Sequence, residues 1–499
     1  MSFDVTRRNT IKISALALGG LALGGSLTGC SSNSSPPPPT SYDPTKTNSL
    51  ISGLEPYYPG TEALGANEMR ITLVGTSPIP RLAQECESIF VEVGRGPDGP
   101  LDQFVFDCGS GVVAKYNVLG IQMRKMNKIF LTHLHGDHTS DLTHIYCFGP
   151  AEDRKSPLYI WGPSPSGLVD PINYYTYNDD GTKVFCQRFR DSMRWHTESF
   201  SFGVTSYASC PSPDQIQRDW GLKNLPAQVV PMTGPPDSNT DGYAIFPIEL
   251  DWSKRGDIQD DNLAYNNAAT GVKITHFPSI HCRQGSIAYK LEWTIPSSGG
   301  KTLTLIFSGD TKPSYDMIDQ AKNGGAGVDV LIHEMVVPAE VWAAKNLGYA
   351  TVAQAKTDPM WIPAYNYALA VQNSSHTPQG AFGYILSQIT PKPPRLAVAT
   401  HFQATDDTIA SARTSIRNHY PTGDVTIAAD LMVLNITPTT TKQRRAVVSE
   451  YAWYPVAHIY PDNNPAKYGT AIDQLDPARR EVPAPTDTSG NPTYNTDGY

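Results

Sequence analysis

Basic residues are the first shortage in this chain: Lys and Arg together number 39 against 48 Asp and Glu, for a net charge of −9. Phosphate backbones and anionic lipids attract proteins through clustered Lys and Arg, so nucleic acid is not an expected partner, although a small anionic substrate stays open. Long hydrophobic runs are also missing. The most apolar stretch, from about Ile13 to Leu27, is Gly- and Ala-rich and too short to read as a membrane span. Cysteine is sparse, with 7 in 499 residues. Setting Cys30 aside leaves an even number, but parity alone establishes no pairing. Cys86 and Cys108 lie inside apolar runs and read as buried thiols, and Cys186 with Cys210 is the one pairing worth testing. What is present is an ordinary globular composition, 39% hydrophobic and 17% charged, long enough for one large domain with additions.

The amino-terminal segment reads as an address. TRRNTIK, with Arg7 and Arg8, resembles a twin-arginine export signal, and Leu27-Thr28-Gly29-Cys30 matches a bacterial lipobox. The implied product is a periplasmic lipoprotein cleaved before Cys30 and anchored to the membrane through that sulfur. Residues 31–66, opening with SSNSSPPPPTSYDPTKTN, follow as a Pro/Ser-rich tether. At the other end, residues 436–499 read as an extension finishing in a Pro/Thr/Gly-rich tail.

Between these flanks, short apolar strands run into polar loops. Ile71–Val74 precedes GTSP, Phe104–Phe106 precedes DCGSG, and Lys128–Leu131 precedes a histidine cluster. Later, Gly271–Thr275 leads to HFPSIHC, Leu303–Phe307 to SGDT, Val328–Ile332 to HEM, and Leu396–Ala399 to THF. Helical stretches around Gln379–Gln388 and Asp407–Asn418 complete an α/β pattern in which strand ends deliver polar residues. A sheet holds such residues rigidly while the loop exposes them.

The densest delivery is LTHLHGDHTSDL, residues 131–142, where three of the chain's 12 histidines fall within six positions. On extended backbone, alternate side chains share a face, so His133 and His135 can grip one cation. Gly136 lets the chain turn, and Asp137 and His138 are redirected to a second position. Mixed imidazole and carboxylate donors suit zinc, and two such positions form a dinuclear site.

The run T-H-L-H-G-D-H resembles the HxHxDH motif of the metallo-β-lactamase superfamily. FDCGSG at 106–111, FSGDT at 307–311, HE at 333–334, HT at 376–377 and THF at 400–402 follow in the order of its ribonuclease Z-like branch. The resemblance covers most of residues 69–435 and implies a four-layer αβ/βα sandwich, with a hydrolase domain over 67–435. It places His133, His135 and His281 on one metal, Asp137, His138 and His401 on the other, and Asp310 between them. His276 competes with His281, which is preferred because Gly285, Ser286 and Tyr289 follow it as the family pattern expects. Glu334 and His376 stand where the branch carries a pair associated with proton transfer. The implied cofactor is Zn2+, two per chain, with Mn2+ and Fe2+ compatible with the same donors. His333 reads as a core residue, and His144, His196, His419 and His458 as solvated or packing residues.

The implied reaction is hydrolysis of an ester by a metal-bridging hydroxide aimed by Asp137, with His376, supported by Glu334, protonating the leaving group. Substrate choice rests on departures from the pattern. Asp141 replaces a Gly after the histidine motif, and Ala288-Tyr289 replaces Gly-Tyr. Residues from about 149 to 270 read as a long insertion where ribonuclease Z carries a basic arm. Positions 151–270 hold 10 Lys and Arg against 16 Asp and Glu, about −6 and the wrong sign for a phosphate backbone. The sequence therefore favours an exported hydrolase of a small phosphodiester or sulfate ester, like the arylsulfatases and cyclic-nucleotide phosphodiesterases of this branch. The alternatives are a tRNA 3′-processing endonuclease and a non-catalytic metal-binding lipoprotein. A homodimer is left open.

Overall fold

The computed structural model describes residues 54–452 apart from 98, 200–211, 223–241 and 259, together with 488–489. The export signal, Cys30, the first part of the tether, Cys210, His458 and nearly all of the tail lie outside the described residues. No helix among the described residues is long and apolar enough to cross a membrane.

The strands in chain order are β1 (Glu55–Tyr57), β2 (Met69–Gly75), β3 (Ser88–Gly96), β4 (Gly99–Phe106), β5 (Lys128–Phe130), β6 (Leu158–Pro163), β7 (Ile245–Leu250) and β8 (Leu263–Asn267). They continue with β9 (Val272–Pro278), β10 (Ile287–Thr294), β11 (Thr302–Phe307), β12 (Val330–Glu334), β13 (Leu396–Thr400), β14 (Val425–Ile427), β15 (Met432–Ile436) and β16 (Thr441–Ala446). Among the described residues they form a nine-stranded sheet, ordered β1-β16-β15-β2-β3-β4-β5-β6-β7, and a seven-stranded sheet, ordered β14-β13-β12-β11-β10-β9-β8.

Alternation along the strands decides which side chains meet between the sheets. Met69, Ile71 and Leu73 of β2, Ile89, Val91 and Val93 of β3, and Phe104 and Phe106 of β4 join one buried cluster with Ile274, Tyr289, Leu305 and Ile332 of the other sheet. Their neighbours Val74, Phe90 and Val105 point the opposite way, into a second cluster with the helices Val112–Val118 and Leu142–Phe148. The outer face of the seven-stranded sheet is covered likewise by the helices Tyr315–Lys322, Gln379–Gln388 and Asp406–His419. The expected four-layer αβ/βα sandwich is the observed architecture. Phe130 stacks on Trp161 in its middle, with ring centroids 4.3 Å apart and planes within 4°.

Chain direction gathers the functional loops. β11, β12 and β13 are mutually parallel, and β9 shares their direction through two antiparallel steps across β10. β5 is parallel to β4 and β6 in the other sheet. β5, β9, β11, β12 and β13 each end just before, or at, a residue singled out above.

Two boundaries are corrected. The stretch read as an insertion from about 149 to 270 contains β6, β7 and β8, so part of it belongs to the two sheets. The tether, read as extending to residue 66, is interrupted by β1, which pairs in parallel with β16 from the expected carboxy-terminal extension. Glu62 reinforces that join by accepting from both terminal nitrogens of Arg444, at 2.6 and 2.7 Å. A three-residue edge strand is too short to display alternation, and its partner lies nearly 400 positions away, so local pattern cannot reveal the pairing.

Candidate metal centre

Extended backbone carries the chain from β5 through His135 (φ −71°, ψ 155°) before the short helix Gly136–Thr139 begins. The expected turn at Gly136 is therefore present, with His133 and His135 before it and Asp137 and His138 after it. His281 follows β9, Asp310 follows β11, Glu334 closes β12, and His401 comes directly after β13. His376 caps the carboxyl end of the helix Trp361–Ser375.

These loops bring together all seven expected ligands. His133, His135, His281 and Asp310 offer donor atoms within 4.8 Å of one another, and so do Asp137, His138, Asp310 and His401. Asp310 belongs to both groups because its two oxygens face different ways. Oδ1 lies 3.2 Å from His138 Nε2 and 3.3 Å from His401 Nε2. Oδ2 lies 3.7 Å from His281 Nε2 and 3.9 Å from His133 Nε2. His135 presents Nδ1, 3.2 Å from His281 Nε2.

Whether a cation fits can be judged from hydrogen bonding. His133 Nε2, His138 Nε2 and Asp310 Oδ1 are buried with no hydrogen-bond partner among the described residues. Each such atom costs roughly 1–3 kcal/mol when left unsatisfied. His138 Nδ1 donates to Asp107 Oδ2 at 2.7 Å, which directs the Nε2 lone pair at the Asp310 carboxylate. Two electron-rich atoms facing each other call for positive charge between them. The imidazole and carboxylate donors suit Zn2+ and related divalent ions.

Supporting contacts orient these donors, and sequence reading missed several of them. Asp107, in the left-handed region at φ 54°, also accepts from Thr132 N and Thr132 Oγ1, each at 2.8 Å. His281 Nδ1 donates to the Ser375 carbonyl at 2.8 Å. His401 also sits at positive φ, 57°. Such backbone is uncommon for non-glycine residues and tends to occur at functional sites. The signal for Asp107 was present in FDCGSG as an acid directly after a strand, but nothing local named its partner. Glu87 is buried beside the centre and accepts from Thr400 Oγ1, and burial pushes its carboxyl up to about 8 even though His401 and His138 pull the other way.

The electrostatics are those of a tightly compensated cluster. Burial opposes charge on Asp310, yet His401 and His138 hold its carboxyl well below the usual range. Burial depresses His138 too, but with no cation present Asp310 and Asp107 carry it well above an ordinary histidine, a proton on Nε2 then standing where a cation's positive charge would lie. His281 is pushed down to about 4, chiefly by burial. On a third side, His376 Nδ1 lies 3.0 Å from Glu334 Oε1, which also accepts from Thr311 N at 2.6 Å. Burial lowers His376, but Glu334 outweighs it and raises the imidazole above its ordinary value.

The remaining described histidines stay outside the centre. His276 is buried and donates from Nε2 to the Asp251 carbonyl at 2.9 Å. His333 donates to the Glu334 carbonyl. His144 stacks on Phe148, His196 Nε2 meets the Cys147 carbonyl at 2.8 Å, and His419 lies edge-on to Tyr384. Cys86, Cys108, Cys147 and Cys186 are buried free thiols, whereas Cys282 is exposed with Sγ 3.6 Å from His135 Nε2.

Comparison with known proteins gives this arrangement a family. No protein-family model matches the chain. Ribonuclease Z of Methanothermobacter thermautotrophicus is 34% identical over 302 residues, spanning 58% of this chain and 81% of the relative. Ribonuclease BN of an Enterobacter species is 24% identical over 293 residues, spanning 58% and 83%. Among solved structures, the short form of human tRNase Z is 18% identical and covers 73% of this chain and 98% of its own, with a TM-score of 0.38. The metallo-β-lactamase fold protein YhfI from Bacillus subtilis is 15% identical and covers 74% and 100%, with a TM-score of 0.40. On the extent and identity of its match to the archaeal enzyme, the chain belongs to the ribonuclease Z family, whose metallo-β-lactamase fold its two facing sheets share.

Proposed function

We propose that the chain is a metal-dependent phosphodiesterase that cleaves RNA in the manner its relatives' names describe. The observation that carries this reading is Asp310, whose two oxygens each face a separate histidine group in a member of the ribonuclease Z family. His133, His135 and His281 would hold one divalent cation, taken here as zinc, and Asp137, His138 and His401 a second, with Asp310 common to both. Bound there, such cations supply a water acidified to near-neutral pKa and Lewis-acid stabilisation of charge on a phosphoryl oxygen.

The chain's own residues supply the rest. Burial raises the Asp137 carboxyl, but hydrogen bonding from His401 and the charge of His138 bring it down to about 2, so it stays an acceptor that can orient an attacking water. His376 carries its Nδ1 proton toward Glu334, and the raised affinity of the ring for a second proton suits Nε2 to protonate a departing oxygen. Asp310 Oδ2 lies 3.9 Å from His376 Nδ1, so the pair stands beside the expected metal ligands.

This reading reverses the expectation that nucleic acid is not a partner. That expectation counted side-chain charge alone, and two divalent cations add local positive charge that no residue count contains. The acidic balance of residues 151–270 favours a second reading, hydrolysis of a small phosphodiester or sulfate ester, which would accord with export and lipid anchoring at Cys30. Precursor tRNA with a 3′ trailer, bis(p-nitrophenyl) phosphate and p-nitrophenyl sulfate, each assayed with and without added Zn2+, separate the two. Metal-dependent removal of the trailer is expected. Turnover of the small esters with the trailer untouched would replace this reading with the second one, and fractionation of the producing cell for lipid-modified protein tests the anchoring.

A further inference from the structure

A cavity of about 210 Å³ opens beside the first histidine group. One wall is His133, His135 and His281, and the other includes Ser166, Asp180 and Arg283. The second wall is built rather than incidental. Asp180 accepts from Ser166 N at 2.9 Å and from Ser166 Oγ at 2.6 Å, which fixes its carboxylate. That carboxylate pairs with one terminal nitrogen of Arg283, whose guanidinium lies 5.0 Å from the centre of the Tyr177 ring. Gln284 Nε2 ties the same loop to the Ser166 carbonyl at 3.1 Å.

The consequence is an arginine held at the cavity with donors to spare. A guanidinium has five N–H groups in a rigid fork. Only the contact to Asp180 occupies Arg283, and its remaining N–H groups meet no acceptor among the described residues. Its side chain is 48% exposed, so an incoming ligand can reach it. Pairing and ring stacking limit its rotamers beforehand, which lowers the entropy cost of binding. A fork of free N–H groups beside a catalytic centre matches an oxyanion such as phosphate, which it can engage in bidentate fashion.

We propose that Arg283 recognises a second phosphate of the substrate, one linkage away from the scissile group, and is thereby a specificity-determining residue. This inference rests on the phosphodiesterase reading. The scissile group belongs between the seven ligands, so a phosphate in the side cavity is the neighbouring one. Such a phosphate exists in an RNA backbone and in a small phosphorylated nucleotide, and the chemistry recognised is the same.

The test compares the dinucleotides pApA and ApA, which differ by one 5′-phosphate, on the full chain loaded with Zn2+. The readout is the ratio of kcat/KM for pApA to that for ApA, because damage to the centre itself would lower both values together. A wild-type ratio of roughly 10 to 100, the range for a hydrogen bond to a charged group, is expected. Arg283→Gln should bring that ratio close to one, chiefly through KM, and Arg283→Lys should restore part of it. A wild-type ratio near one, or a ratio unmoved by Arg283→Gln, would overturn the proposal. Calorimetric binding of the same two dinucleotides gives the corresponding affinity ratio without turnover. Absence of all phosphodiester turnover would therefore count against the enzymatic reading, while the affinity ratio still decides on Arg283. An RNA with a 3′ extension, assayed in parallel, identifies the source: weakening of both substrates by Arg283→Gln points to an RNA phosphate, and weakening of pApA alone to a small nucleotide.

Discussion

Asp107 shows how much of the centre depends on a residue that offers it no donor atom. Its carboxylate takes three hydrogen bonds, two from Thr132 and one from His138, and so sets which nitrogen His138 turns toward Asp310. An amide in its place keeps one acceptor oxygen and sets an NH2 group against existing donors. Asp107→Asn is therefore expected to lower metal affinity by about 10- to 100-fold while the chain stays folded, as competition with a chromophoric chelator would read. Glu87 is the pH-sensitive counterpart. Its folded pKa of about 8 exceeds the ordinary 4.5, so the folded state binds more protons than the unfolded state between those values. Stability contributed there is present below about pH 4.5 and lost as pH rises toward 8. Glu87→Gln, which stays neutral throughout, should flatten that decline, measured as denaturant midpoints at pH 5 and pH 8. A wild-type midpoint rising over that window, or an equal fall in the variant, would contradict the assignment.

Elements matter because the seven expected ligands sit on loops that begin where a strand stops, while His376 follows a helix. Gly309 shows the tolerance involved. It adopts φ +54°, and a Cβ there would fall 2.5 Å from the Thr132 Cβ. Gly309→Ala thus combines backbone strain of about 1–3 kcal/mol with a collision against the residue that anchors Asp107. It should lower stability and shift Asp310 enough to reduce bound metal, measured together by thermal melting and metal analysis. Gly109 plays a similar part in FDCGSG, since a Cβ there would lie 2.1 Å from the Asp137 carbonyl. The apolar runs at 71–74, 104–106 and 303–307 made their strands legible, and the pattern over Gln379–Gln388 made its helix so. The helices Ala339–Asn346, Val352–Ala355 and Trp361–Ser375 were not legible. They pack around a small core of Ala343, Trp361 and Ala368, too weakly apolar to mark a face in sequence.

At the scale of the whole molecule, the centre joins loops from both sheets, so cations held there would act as cross-links between the two halves of the sandwich. Binding to the folded chain alone stabilises it by about 2.7 kcal/mol per site when free metal is a hundredfold above Kd. Chelation is accordingly expected to lower the melting temperature, and Zn2+ to restore it. His135→Ala should lose metal, ester turnover and this response together, while circular dichroism still reports a folded sandwich. Retained turnover in that variant would remove His135 from the centre.

Sequence by itself determined the chemistry on offer: a HxHxDH run, an SGDT and a THF, each behind an apolar strand, because ligand type and strand alternation are local properties. The seven residues that resemblance to the family singled out as donors lie within reach of one another in the fold. Only the tertiary structure decided how they face one another. Asp310 divides its oxygens between two groups, Asp107 and Ser375 aim individual rings, and Arg283 meets Asp180 across 103 positions. Those are long-range contacts set by the packing of two sheets and their loops, and no local spacing in the chain encodes them.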